Sequence, residues 1–228
     1  MGRPGLRAMP QRLPRNSTLY PEALARFLGD SAPLWIDVLG EPSILNLPSL
    51  ALFCSLACPG RLILRTYDLA LALREAGVAV ISGFHSPVEK EALPLLLRGK
   101  QPVIICPARS IAGRPVPAEW RRPLGEGRLV VLSPFDEKQR RPTAELAWRR
   151  NAFAAALADQ TLIVHASTES RMLAFAREIA GWRKPLLCLE GDENAALMEV
   201  GATPVSAEWP GWVPDAVSAP AAACASRR

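Results

Sequence analysis

From residue 49 to residue 189 the chain repeats one pattern: a short, continuously apolar run, a break of small or polar residues, then a stretch with apolar positions three and four apart. The runs "SLALFC" (49–54), "VAVIS" (78–82), "PVIIC" (102–106), "RLVVL" (128–132), "TLIVH" (161–165) and "PLLCL" (185–189) read as strands. Several show no polar alternation, so both of their faces must be covered. Helical spacing falls between most of them, at 61–76, 87–98, 143–157 and 170–181. Such strand–helix alternation predicts an α/β fold: a doubly wound, mostly parallel sheet with helices on both faces. The connection 107–127 contains four prolines and is predicted to be loop. Upstream, "PEALARFLG" reads as a helix with Pro21 in its first turn, followed by a brief strand in "PLWIDVLG". Residues 1–17 are rich in Pro, Arg and Gly without periodicity and predict a flexible arm. The predicted organisation is that arm, one domain at 18–208, and a Pro/Ala-rich tail at 209–228.

In a sheet of this kind ligands bind outside the carboxyl ends of the strands, where the strand order reverses. After the second run comes Ser82-Gly83-Phe84-His85-Ser86-Pro87-Val88-Glu89. Ser86 as N-cap, Pro87 at the first helical position and Glu89 three residues beyond the cap make a complete helix start. The same helix N-terminus offers unpaired N–H groups and a partial positive charge to an anion, and Gly83 permits close approach. Ser167, Ser170 and Arg171 stand in an equivalent position after a later run. The helix at 143–157 carries Arg149, Arg150 and Asn151 beside an Ala/Leu-rich face, where guanidinium groups suit solvent, Glu145 or phosphate. His85 and His165 each end a strand, but no Ser-His-Asp or HxxxH arrangement accompanies them.

Composition changes the picture little. The net charge of +5 is a mild basic bias, with arginine pairs at 121–122, 140–141, 149–150 and 227–228. No apolar run approaches the roughly 20 residues of a membrane span, and the basic N-terminus has no apolar core of a secretion signal. A cytoplasmic protein without membrane contact is expected. The five cysteines are odd in number and mostly end apolar runs, which reads as core packing in a reducing compartment. Cys54 and Cys58 have a ligand-like spacing, yet no second pair completes a zinc site, and neither metal nor cofactor is expected.

The order of these signals resembles the DprA/Smf (DNA-processing protein A) family. "LYPEALARFLGDSAPLWIDVLGEPSIL" looks like that family's "YP..L" lead-in, and "VAVISGFHSPVEKEAL" like its "VVSGxAxGID" turn, keeping Ser82, Gly83 and an acidic Glu89. "WRRNAFAAALADQTLIVHA" resembles its "RRNRIIAGLSxxVLVVEA", and "STESRMLAFAREIAGWRKPLLCLEG" its "SGSLITA" segment through "VFAVPG". "NAALMEVGATPV" closes like its "N.LI.xGA". The likeness runs from about Tyr20 to Val205 and implies a Rossmann-like core. It further implies single-stranded DNA binding without a catalytic reaction, and handover to a recombinase in DNA-mediated transformation. The resemblance rests its DNA contact mostly on Arg149, Arg150 and Asn151, and with the strand-end residues read above, Ser82, Gly83, Ser86, Ser167, Ser170 and Arg171, these are the phosphate-binding candidates. Departures accompany it: "FCSL" replaces the family's "VGSR", Pro87 and Arg171 replace glycines, and Ala152 replaces the second Arg of "RNR". Two alternatives stand beside this reading. One is a pocket for a nucleotide ligand, as a sensor or as a LOG-like phosphoribohydrolase using Glu169. The other is a degenerate paralogue acting as a protein-interaction module, in a homodimer, for which Trp209 and Trp212 are candidate anchors, although packing of this segment on the domain is the favoured reading.

Overall fold

The computed structural model describes residues 9–209. Nine strands form one sheet: β1 (Gln11–Pro14), β2 (Trp35–Leu39), β3 (Ser49–Phe53), β4 (Ala79–Ser82), β5 (Val103–Ile105), β6 (Leu129–Ser133), β7 (Gln160–Ile163), β8 (Leu186–Leu189) and β9 (Thr203–Val205). Their spatial order is β1-β2-β6-β5-β4-β3-β7-β8-β9. Every pairing from β6 through β9 is parallel, whereas β2 runs antiparallel to β6 and β1 antiparallel to β2. From β3 the chain winds outward through β4, β5 and β6, returns to β7 on the other side of β3, and winds on to β9. The topological switch therefore lies between β3 and β7.

The continuous apolar runs are explained by two cores, one on each face. The helices α2 (Gly60–Ala76), α3 (Pro87–Leu97) and α4 (Ala118–Gly125) cover one face, and residues such as Leu62, Leu69, Ala92 and Leu96 meet Leu50, Val80, Val103 and Leu162 there. On the opposite face α1 (Glu22–Leu28), α5 (Ala144–Leu157), α6 (Arg171–Gly181) and α7 (Ala195–Glu199) pack with Ala51, Ile81, Ile104 and Ile163. Alternate residues of one strand thus feed different cores, which demands apolar residues at both parities. Phe175 anchors the second core, with Phe53 edge-on at 5.3 Å and Trp148 at 5.5 Å.

Two expectations are corrected. Residues 11–14, assigned to a flexible arm, are an edge strand: Leu13 is buried, and Arg12 grips the buried Asp37 of β2 through Nε–Oδ1 (2.8 Å) and Nη2–Oδ2 (3.2 Å). The Pro-rich connection contains α4, whose Trp120, Pro123 and Leu124 face the core; the density of prolines hid that short apolar stripe. Pro117 in fact precedes the helix as its N-cap residue. Trp209 packs against the core, as the favoured reading of the tail had it, while Trp212 lies outside the described residues. So does the tail from residue 210. Both edge strands carry a proline, Pro14 in β1 and Pro204 in β9. Among the described residues no helix is long and apolar enough to cross a membrane.

Candidate functional site

A crevice of about 940 Å³ opens at the carboxyl ends of β3, β4, β5 and β7, over the switch point. The loop after β3 (Cys54 to Ala57) forms one wall, the β4–α3 turn (Gly83 to Ser86) another, and the start of α5 and of α6 close the rest. Its lining is mixed: Trp120, Trp148, Phe175 and Met172 are apolar, whereas Arg109, Arg150, Asn151 and Arg171 are polar.

The β4–α3 turn is held by one carboxylate. Glu89 is 4% exposed; its Oε1 accepts from Cys54 N (3.0 Å), and its Oε2 accepts from His85 N (2.9 Å) and Ser82 Oγ (3.2 Å). Ser82 Oγ also accepts from Phe84 N, and Ser86 Oγ caps α3 by accepting from Glu89 N. The hydroxyls of Ser82 and Ser86 are thus engaged within the protein, and Ser82 is fully buried behind the crevice wall. Glu89 itself supplies the negative charge that the N-terminus of α3 favours. Phe84 adopts a positive φ of 47°, a conformation uncommon for a side-chain-bearing residue and held here by those bonds.

The two neighbouring arginines of α5 take opposite directions. Arg150 is 4% exposed and reaches under the β4–α3 turn, where Nη1 donates to Cys106 O (3.1 Å) and Nε to Asn151 Oδ1 (2.7 Å). Burial lowers its affinity for its proton, and the charge of Glu89 partly restores it. Gly83 exists for this side chain: a Cβ there would lie 1.0 Å from Arg150 Nη1. Its φ is not positive, so the glycine is required by space rather than by backbone conformation. Arg149 leaves the crevice altogether. It lies over the ring of Phe135 (5.7 Å) and lines a separate cavity with Phe27, Trp148 and Glu178. The pair read together from sequence therefore divides: Arg150 and Asn151 reach the crevice and Arg149 does not.

At α6 the N-cap Ser170 accepts from Leu173 N (3.2 Å) and donates to Ser167 O (2.7 Å). Ser167, Ser170 and Arg171 all line the crevice, and Arg171, standing where the resemblance has glycine, brings a guanidinium to it. The buried Ser55 hydroxyl at the end of β3 also lines the crevice and has no hydrogen-bond partner among the described residues.

The sequence reading named the pair Arg140 and Arg141 but not the cluster to which it belongs. A cavity of about 470 Å³ adjoins the crevice, shares Arg109 and Pro142 with it, and is lined by Arg109, Arg114, Arg140 and Arg141 with no acidic residue. None of the four is in an ion pair among the described residues. Ser110 N donates to Gln139 O (2.9 Å), Ser133 Oγ donates to Arg109 O (2.9 Å) and Arg114 donates to Arg140 O, which brings two loops distant in sequence together. Partial burial and the charge of Arg114 lower the pKa of Arg109, the mark of cations crowded without an internal counter-charge. Thr143, the N-cap of α5, follows directly, so a helix N-terminus adds to the same field.

The histidines do not meet in a catalytic pair. His165 is buried with Nδ1 3.0 Å from Asn194 Oδ1, and Asn194 Nδ2 donates to Val164 O and Leu189 O, a structural clasp between strand ends. His85 is an exposed residue of the crevice wall. Glu169 is exposed beside Ser170 and does not itself line the crevice. Among the described residues no three His, Cys, Asp or Glu side chains gather as a metal site.

The family model described as DNA recombination-mediator protein A matches residues 11–207. DNA processing protein A (DprA) from Streptococcus pneumoniae superposes with a TM-score of 0.72 at 17% identity, over 87% of this chain and 72% of that one. DNA processing protein A from Helicobacter pylori, described for its single-stranded DNA binding mode, gives a TM-score of 0.65 at 22% identity, over 86% of this chain and 89% of that one. No curated protein sequence matches the chain.

Proposed function

The chain belongs to the DNA recombination-mediator protein A family, and from that premise we propose that it binds single-stranded DNA along the carboxyl edge of its sheet, without a catalytic reaction. The observation that carries this is the cluster of Arg109, Arg114, Arg140 and Arg141, unpaired and opening into the crevice. Guanidinium groups that repel one another with no acid between them are relieved by a polyanion, and phosphates at successive positions along a strand supply one. The half-buried indoles of Trp120 and Trp148 in the crevice lining offer apolar surface to bases. Arg171 extends the polar track toward the switch point. Arg150 has a different role: it braces the β4–α3 turn from beneath and contributes positive potential rather than a direct grip.

The test is a titration with a fluorescent oligothymidylate across a range of salt concentrations. Four phosphate contacts give a log–log slope of about −3 for a single strand. Arg140→Ala with Arg141→Ala should reduce that slope by about 1.4 and weaken binding to every sequence alike. Arg149→Ala should leave the slope unchanged. Binding that is indifferent to salt, or a slope that survives the paired substitution, would overturn the assignment. The resemblance extends the reading to a recombinase that receives the strand; the homodimer of the protein-interaction reading is addressed by sedimentation at varied concentration. A nucleotide ligand is the competing occupant; it would displace the oligonucleotide at equal phosphate concentration.

A further inference from the structure

The cavity toward which Arg149 turns has no part in the DNA-binding reading. It measures about 290 Å³ and lies among the end of α1, the loop after β6, α5 and α6. Trp148 lines the crevice as well, but none of the four clustered arginines lines this cavity. Its lining carries charges of both signs, where the arginine cavity carries one.

The two charges do not meet. Arg149 of α5 and Glu178 of α6 both line the cavity, yet neither is in an ion pair among the described residues. Arg149 has a carboxylate one helical turn before it, at Glu145, the spacing at which exposed helix pairs form. Its guanidinium lies instead over the ring of the fully buried Phe135, 5.7 Å from the centroid, which holds the cation against the cavity wall. Glu178 is half-buried and accepts no hydrogen bond among the described residues. Burial raises its pKa, with no donor or cation offsetting that effect. Apart from Ser31 the remaining lining is apolar, and its accessible part includes the half-buried Phe27, Leu28, Pro134 and Trp148.

This combination selects among ligands. An anion that suits Arg149 is repelled by Glu178, which also disfavours a nucleic acid strand, and a cation that suits Glu178 is repelled by Arg149. A wholly apolar solute strips water from both charged groups and returns no partner, which is costly. A molecule with one charge of each sign and an apolar body answers every part of the lining. The volume stands near the lower limit of ligand pockets, roughly 300–1,000 Å³, so the molecule is small. We propose that this cavity binds a free α-amino acid with an apolar side chain, its carboxylate on Arg149, its ammonium group on Glu178 and its side chain against Phe27, Leu28 and Trp148. A guanidinium meets a carboxylate through two parallel N–H bonds, so Arg149 orients the ligand as well as holding it. Glu178 gains the cation that the protein itself does not supply.

The experiment is isothermal titration calorimetry of the full-length chain with L-leucine, with N-acetyl-L-leucine, which lacks the ammonium group, and with L-leucinamide, which lacks the carboxylate. L-Leucine should give a saturable heat, and each altered compound should bind at least about tenfold more weakly. Glu178→Gln should erase the preference for L-leucine over the N-acetyl form, and Arg149→Met the preference over the amide. Circular dichroism of both variants establishes that they are folded, and the wild-type comparison of the compounds needs no variant at all. The proposal is overturned if L-leucine, L-methionine and L-phenylalanine all give no saturable heat, if N-acetyl-L-leucine binds as tightly as L-leucine, or if both preferences survive the substitutions. No phosphate enters these titrations and neither substitution touches the arginine cluster. A negative result therefore leaves salt-dependent oligonucleotide binding standing, and loss of that binding leaves this site standing.

Discussion

Replacing Gly83 by alanine isolates the contact that organises the crevice. The added methyl carbon would lie 1.0 Å from Nη1 and 1.9 Å from Cζ of Arg150, so the guanidinium must leave its seat. Leaving breaks the bonds to Cys106 O (3.1 Å) and Asn151 Oδ1 (2.7 Å) and separates a buried cation from the Glu89 charge. Hydrogen bonds to charged groups contribute about 1.5–3 kcal/mol each, and forcing extra volume into packed surroundings costs about 1–3 kcal/mol. With partial relaxation toward solvent, about 3–5 kcal/mol of stability should be lost, a large share of the ~5–15 kcal/mol typical of a folded domain. For a chain of this size that corresponds to a fall in Tm of roughly 10 °C. The assay is urea unfolding of the wild type, Gly83→Ala, Arg150→Ala and the double variant, followed by intrinsic fluorescence. In the Arg150→Ala background the methyl group meets vacated space, so the glycine substitution should then cost under about 1 kcal/mol. A coupling of about 2–4 kcal/mol between the two sites is expected. Strict additivity of the two losses would refute the account of why glycine stands at this position.

Two further outcomes follow from buried charges elsewhere. Glu89→Gln replaces an acceptor of three donors by a group with only one acceptor atom, and should lower stability by about 2–3 kcal/mol in the same urea assay; a change below about 0.5 kcal/mol would contradict the role given to that carboxylate. Lys184 is buried against Phe27 and donates to the carbonyls of Ala155, Ala156 and Ala158 at the end of α5, and burial brings its pKa down to about 8. Because the folded value lies below the ordinary value of 10.5, the unfolded chain holds the extra proton between these limits, and this group's contribution to stability rises with pH across that window. The stability difference between wild type and Lys184→Met should grow by about 2–3 kcal/mol from pH 7 to pH 10. The comparison removes the opposite trend of the Cys188 and Cys106 thiols, raised by burial to about 11 and about 12, which favour the folded state less above the ordinary thiol pKa. A flat difference would count against the burial of that ammonium group.

The strands and most helices were legible because apolar runs and helical spacing report burial directly, and the alternation forced a parallel sheet with its ligand edge. The helix starts at Ser86 and Ser170 were legible for the same reason: a cap is local chemistry. What failed was direction. Arg149 and Arg150 look alike in sequence, yet Leu146, Arg150, Phe153 and Leu157 lie along the buried stripe of α5 at spacings of four and three, and Arg149 lies off it. That periodicity was the available sign that Arg150 is a buried brace. Of the cluster of Arg109, Arg114, Arg140 and Arg141 only the pair 140–141 stood out in the sequence, since loop-to-loop bonds assemble the whole from segments on either side of β6. The short strand β1 was hidden by its length and by prolines, and only its partner Asp37, buried in a neighbouring strand, explains it.

The prolines at the two borders of the sheet have a consequence for assembly. Pro14 on one outer strand and Pro204 on the other each lack the N–H that a newcomer's backbone would seek, and each sits on a strand of only three or four residues. Lateral stacking of one molecule's ribbon onto the next is thereby discouraged from both sides. Growth of the sheet by edge-to-edge pairing between copies of this chain is disfavoured at both of its described borders.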